Sequence, residues 1–388
     1  MKIRSLFTAA FLIFLVTAFY FFSKDLVEEL DMKGSGPKPI RCKVEEVLDE
    51  SIESEALDNT EVGYGLSLFS GGQLIKVKVS EGVHKGKTIL IDNTKMNVHT
   101  NSNVVEPNDD ILAFLEEDME GKLIGGLLYE IVRTNHMYML ITAFFIILIA
   151  FGGMKGFKSI ISLSITFIAI INVMLPLILK GHSPFTTSIF ICILVTLTTF
   201  IISNGFTMKT FNSVLGTTGG VLTAGLIAYI MGNLSKLTGL GNEEAQMLLF
   251  VPGNIKLDFR GLLFSGIIMG ALGAVMDVSM SIASAINEIE SAKPNISSGE
   301  LIGAGMNVGR DIMGTMSNTL ILAYIGGSIH LVMILMVYNY PLRSILSMDM
   351  ITSEIVRAVS GSIGLVFTIP ITAFISGSIG RRRKRIWG

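Results

Sequence analysis

A single carboxylate, Asp277, stands in the middle of the apolar run GALGAVMDVSMSIASAI, residues 270–286. An ionised acid at the centre of a bilayer costs about 2.5–3.5 kcal/mol on insertion scales. A chain that keeps one there uses it to bind something or bonds it to something. Gly266, Gly270, Gly273, Asp277, Ser281 and Ser284 recur at spacings of three and four, which is one face of a helix. Small residues in such a row admit a second helix at close range. Asp277 is therefore expected to face a neighbouring helix or a wet cavity, not acyl chains. The next apolar segment carries a second polar row, Asn307, Asp311, Thr315 and Asn318. At ~1.5 Å per residue, Asp277 and Asn318 should lie within about 5 Å in depth, so an Asp277–Asn318 or Asp277–Thr315 contact is expected.

The chemistry these types allow is reversible binding of a proton, a cation or a polar solute. Asp277 would be the binding group, with Ser281, Asn318 and Thr315 around it and Asp311 as an inner gate or relay. Asn172 is a further polar candidate in another span. The structural alternative for Asp277 is a packing hydrogen bond to a serine or asparagine. For Asp311 and Arg310 it is a helix-start acid and an interfacial cation at the cytoplasmic end of their span. Gly266, Gly270 and Gly273 read as packing glycines. Gly326 and Gly327 interrupt their span near its middle, as in the broken helices of transport sites.

The elements that must position these groups are membrane helices. Half of the 388 residues are hydrophobic and only 16% are charged, where a soluble chain carries about a quarter charged. The mean hydropathy is +0.61. Eight stretches approach the ~20 apolar residues a bilayer core needs: 6–22, 137–151, 160–179, 186–202, 214–231, 262–286, 312–337 and 355–375. Between residues 22 and 136 lie 22 of the 32 acids but only 12 of the 30 bases, a net charge near −10. The fold class expected is thus a membrane α-helical bundle of about eight transmembrane helices with a small N-terminal extracytoplasmic β-rich domain, barrel or OB-like. Residues 1–22 form an anchor, with a cleaved signal peptide as the alternative. Residues 23–135 form the outer domain, 136–380 a seven-helix membrane domain and 381–388 a basic tail. Lys2, Arg4, Lys155, Lys158, Lys209 and the run RRRKR at 381–385 place both termini in the cytoplasm.

In the outer domain, Leu74–Val79 alternates with period two, Thr88–Ile91 follows as a second strand and Pro37–Val47 reads as an earlier one. Residues 112–119 read as a short helical or turn segment. Pro176 should kink the third span or loosen its backbone bonding. SSGE at 297–300 reads as a capping box that opens a short interfacial helix, and Glu243 and Glu244 start an external helix. Cys42 and Cys192 fall in different compartments and are not expected to pair. No histidine or cysteine cluster has metal-ligand spacing, so a metal is left undetermined and no cofactor is expected.

Three segments, NVMLPLILKG at 172–181, GALGAVMDVSMSIASAINEI at 270–289 and GRDIMGTMSNTLILAYIGG at 309–327, resemble hallmark segments of the YibE/F family of bacterial membrane proteins. The resemblance spans about residues 41–375. It implies a multi-pass protein of the bacterial plasma membrane and, from paired relatives, a second related membrane subunit; a homo-oligomer is the alternative expected. It implies no activity and no site residues. Two functions are therefore weighed from the residues alone. The first is a secondary transporter or permease working through Asp277. The second is a sensor or scaffold whose outer domain binds a ligand or partner. An enzyme is disfavoured, because no nucleophile–base pair stands near Ser279, Ser281 or Ser284. The partners expected are the lipid bilayer and an unknown small solute or ion, with no nucleic acid.

Overall fold

The structure, a computed structural model, describes residues 38–52, 72–93, 104–119, 121–250, 256–338 and 340–387. The expected first span, 6–22, lies outside the described residues. The chain divides into two compact units, one holding the strands and the other the helices after Ile147.

The strand unit is a five-stranded antiparallel sheet of β1 (Ile40–Ile52), β2 (Gly72–Val79), β3 (Thr88–Asp92), β4 (Asp110–Glu117) and β5 (Leu123–Ile131), in the order β3-β2-β1-β4-β5. Alternation decides its inner face. Ile75, Val77 and Val79 of β2 are buried with Cys42, Val44, Ile91, Ile111, Ala113 and Leu128, while Lys78 between them is exposed. The sheet curls into a half-barrel whose end strands approach at Gly125 and Gly126. A Cβ at Gly126 would lie 2.8 Å from the Phe114 carbonyl oxygen and 3.6 Å from the Ile91 Cδ1, so only glycine lets β5 come this near. Buried Gln73 donates to the Val105 carbonyl at 3.1 Å and accepts from its N–H at 2.8 Å, which ties the segment before β4 to β2.

Residues 112–117 are thus strand, not the helical or turn segment expected, and only Asp118 and Met119 lie in the turn after it. The acids of DILAFLEE suggest a helix, but Ile111 and Ala113 alternate into the core and that burial wins. β5 was not anticipated either. Cys42 and Cys192 are free and buried.

Among the described residues, five helices are long and apolar enough to cross a membrane, or six if a bent pair counts as one span. They are α1 (Thr134–Ala169) with its continuation to Leu179, α3 (Pro184–Asn204), α4 (Met208–Leu234), α6 (Phe259–Ala292) and α10 (Asp349–Trp387), apolar as far as Ser378. The bent pair is α7 (Ser298–Gly327) and α8 (Ile329–Val337), at 60° to each other. The expected second and third spans lie on one helical stretch whose regularity fails at Gly153 (φ 52°, ψ −132°), a conformation that side chains strongly disfavour. The basic tail continues α10 in helical form to Trp387.

Pro176 acts as expected. It has no N–H to give and its ring would crowd the carbonyl four residues back. The helix widens just before it into a π turn, Ile170–Met174, closed by the Leu175 N–H on the Ile170 carbonyl, and then runs on as α2 (Leu175–Leu179). Ser297 and Glu300 form a reciprocal capping box, but the helix it opens does not stop at the interface and becomes α7 itself. A short α5 (Glu243–Met247) follows α4 with both glutamates in its first turn, and α9 (Leu342–Ser347) precedes α10.

The core of the helical unit is a seam between α4 and α10 closed over by α6. A Cβ at Gly216 would lie 2.0 Å from the Thr372 hydroxyl oxygen, and one at Gly220 would lie 1.8 Å from that of Thr368. At Gly364 it would meet the Ala224 Cβ at 2.5 Å. Val275, Val278, Ile282 and Ile268 of α6 are buried against this seam, and Ser279 donates to the Ser213 carbonyl at 2.6 Å.

Gly220→Ala overpacks the seam and should cost about 1–3 kcal/mol, whereas Gly314→Ala, with nothing within 4 Å, should melt in detergent like the parent. Burial, and then the charge of Glu81, push the Cys42 thiol up to about 11 from 9.0. Its thiolate at pH 7 is thus about a hundred-fold scarcer than in the unfolded chain, and a maleimide should label Cys42 only after denaturation. Because the raised value favours the neutral thiol, the half-barrel should lose stability as pH climbs from 9 towards 11. Thermal melts of the parent and of Cys42→Val should diverge over that window.

Candidate functional site

The structure brings polar groups together at the break between α7 and α8. A cavity of about 370 Å³ is lined by Asn242 and Glu244 near α5, by Tyr324, Gly327, Ser328 and His330 at the break, and by Glu354 and Arg357 of α10. Glycines at 326 and 327, the weakest helix formers after proline, precede the break. The Ser328 side chain does not cap α8, so the positive end of that helix opens at the cavity.

Arg357 and Glu354 are one turn apart on α10, Nη1 to Oε1 at 3.3 Å, with about 30% and 27% of their side chains exposed. The pair leaves capacity over. The Arg357 Nε and the Tyr324 hydroxyl are both buried, and among the described residues neither has a hydrogen-bond partner. The ring of Tyr324 lies over α6, where a Cβ at Gly270 would be 2.6 Å from its hydroxyl. Gly270 therefore serves as a packing glycine, though for a tyrosine and not for a helix backbone. Two donors with nothing to donate to, beside a cavity that also holds carboxylates, can take hold of a small polar molecule.

The residues singled out from the sequence lie elsewhere. Asp277, Ser281, Gly266 and Gly273 are on the exposed face of α6, and nothing comes within 4 Å of a Cβ at Gly266 or Gly273. Among the described residues nothing packs on them, while the α4 glycines Gly216 and Gly220 are packed against α10. Asp311, Thr315 and Asn318 are on the exposed face of α7. The contacts Gly270–Tyr324 and Gly305–Ile286 fix the antiparallel register of α6 and α7. Asp277 is level with residues 314–317, so the expected agreement in depth is met. The expected hydrogen bond is not. Thr315 donates to the Ile312 carbonyl at 2.9 Å, and Asn318 makes no bond to α6. Arg310 and Asp311 are not at the helix start, because α7 begins three turns earlier. Asn172 is half-buried in the π turn, on an element remote in sequence from both rows. Gly326 and Gly327 have nothing packed against them and mark the break.

Asn318 and Gly327 are nine residues apart, two and a half turns, which puts the polar row and the cavity on opposite faces of α7. Sequence reasoning missed Tyr324, His330, Glu354 and Arg357. The one signal available was Glu354–Arg357 at i, i+3 ahead of an apolar run, and it reads equally well as an interfacial pair.

In the half-barrel, buried His84 meets Glu117 at 2.7 Å through Nε2 and Lys87 at 3.3 Å through Nδ1. Both ring nitrogens are occupied, so this is a structural clamp. Among the described residues no three histidine, cysteine or acidic side chains gather as a metal site would need.

A family model described as YibE/F-like protein matches residues 140–382. The match begins after the half-barrel and covers the helical part of the likeness expected. No curated protein and no solved structure matches the chain. The matched stretch is well over half of the sequence and contains the π turn, the α4–α10 seam, both polar rows and the broken helix, and the chain belongs to the YibE/F-like family.

Proposed function

We propose that the membrane domain is a permease that admits a small charged or zwitterionic solute at the cavity beside the α7–α8 break. The observation that carries this reading is the broken span itself, bent by 60° next to a cavity lined by Arg357, Glu354 and the start of α8. Irregular backbone and ionised groups at membrane depth are tolerated where they line a water-filled or substrate-filled space. Arg357 and the α8 N-terminus suit an anionic group, and Glu244 and Glu354 suit a cationic one.

The stretch 134–179 supports an arrangement of eight spans. As a single helix its 46 residues would measure about 69 Å, more than twice the ~30 Å hydrocarbon core. Divided at Gly153, each part is long enough to cross alone. With residues 6–22 the total is eight, both termini are cytoplasmic, residues 23–135 are extracytoplasmic, and the cavity opens towards the outside. The membrane is the bacterial plasma membrane.

A second reading has its own support. The half-barrel forms a compact unit separate from the helices, and its strand order with β3 drawn near β5 is that of an OB-like barrel, a frequent binding module. A sensor or scaffold would use that module and need no passage.

Thermal-shift screening of the full chain against amino acids, small dicarboxylates, polyamines and alkali cations, with labelled uptake into proteoliposomes for each hit, separates the two. The expected result is saturable uptake of one class, reduced at least tenfold by Arg357→Gln while the variant still inserts and melts cooperatively. Ligands that bind without being taken up, or no ligand at all, would remove the permease reading. Tyr324→Phe loses a hydroxyl that has no partner among the described residues, so its melting temperature should match the parent's within about 2 °C while affinity for the hit falls roughly 3- to 10-fold.

A further inference from the structure

We infer that the exposed face of the α6–α7 hairpin is an interface between two copies of this chain in the membrane. Asp277 lies 18 residues from the start of α6 and 15 from its end, about 27 Å and 22 Å, which is near the middle of the helix. It is exposed, and among the described residues it has no hydrogen bond or ion pair. Ser281 beside it, and Asn307, Arg310, Asp311, Thr315 and Asn318 on α7, are exposed as well. A carboxylate and a guanidinium at this depth do not face acyl chains without severe cost, so this face is covered.

The chemistry of the face selects the cover. It carries charge of both signs. Arg310 spends one bond on Asn307, Nη1 to Oδ1 at 3.1 Å, and among the described residues its remaining donors take no other partner. In a two-fold dimer about an axis normal to the membrane, each group meets partner groups at its own depth. Arg310 and Asp311 are neighbours in sequence and hence in depth, so Arg310 of each copy can pair with Asp311 of the other, twice. Asp277 sits one to two turns further along and is level with Thr315, whose neighbour Asn318 supplies an amide donor across the axis. Gly266, Gly273 and Gly314, with nothing within 4 Å of a Cβ, leave room for helix backbones to approach, which is what drives association in lipid. Residues 6–22 of the same chain are a poorer cover. They contain no charged side chain and offer Arg310 and Asp311 nothing to pair with.

The test uses single cysteines in the full chain with Cys42 and Cys192 replaced by alanine, purified and reconstituted at low protein-to-lipid ratio. Gly273→Cys, Ser281→Cys and Thr315→Cys are on the face, and Gly273→Cys enters open space and should fold. Phe190→Cys, on α3 and 60% exposed, is the control. Mild oxidation is expected to give a species of twice the 42.1 kDa chain mass for at least one face position and not for the control. Arg310→Asp should reduce that species at least fivefold, and Arg310→Asp with Asp311→Arg should restore it. Overturning results are a chain that stays single at every face position, a doubled species that forms equally well from the control, and a face cysteine that cross-links within its own chain to a cysteine placed at Phe14. Failure of the charge swap to restore the doubled species would equally overturn the proposed pairing.

Discussion

Close approach of backbones along the α4–α10 seam is the contact on which the helical unit depends. In lipid there is little gain from removing apolar side chains from their surroundings, since acyl chains are as apolar as leucine. What remains is dispersion between surfaces that fit. Gly216, Gly220 and Gly364 allow that fit, and the hydroxyls of Thr368 and Thr372 fill the space their missing side chains leave. The seam also decides the rotation of α6. Its branched residues, Ile268, Val275 and Ile282, close over the seam, and a helix that turns this face inward must turn the opposite one out. The glycine row with Asp277 therefore ends on the outside of the bundle as a consequence of packing elsewhere.

The same logic gives α7 its unequal faces. Its capping box fixes the start, and Gly305 and Gly309 meet Ile286 and Ile369 across narrow gaps. Those contacts hold one side of α7 to the bundle and leave Asn307, Thr315 and Asn318 on the other. At its far end, α7 stops against no partner after Gly327. A polar space lies there and not a hydrophobic one, because α10 brings a charged pair within reach. One helix thus carries two polar regions of different kinds, a row turned away from the bundle and a terminus turned into it.

Much of this was legible in the residues. The apolar runs marked where the long helices lie but not their ends, since α7 begins 14 residues before its apolar run; period two marked β2 and β3, and SSGE and Pro176 each produced the local structure their chemistry dictates. The glycines at 326 and 327 marked the break. The failures share a cause. A row of glycines around Asp277 and a row of glycines on α4 look alike in sequence, since both offer a flat surface, and only three-dimensional packing decides which is used within the chain. Residues 112–117 carry acids that a helix would accept, and only the pairing of their strand with β1 and β5 makes them strand. Tyr324 and Arg357 are 33 residues apart, and no local spacing announces that a cavity will join them.

The π turn at Ile170–Met174 has a bearing on chain length. A wide turn holds one residue more than an ordinary one, so it acts as a reservoir of slack. Loss of a single residue from it would tighten the turn to normal pitch and leave the segments on either side, from Ser162 to Ile178, aligned with the neighbours they already touch. The same loss anywhere else in that helix would rotate everything beyond it by about 100° and turn buried groups outward. Loss of one residue is therefore confined in its effect at this turn to renewed crowding of Pro176 against the carbonyl four residues back, whereas along the rest of the helix it misaligns everything beyond.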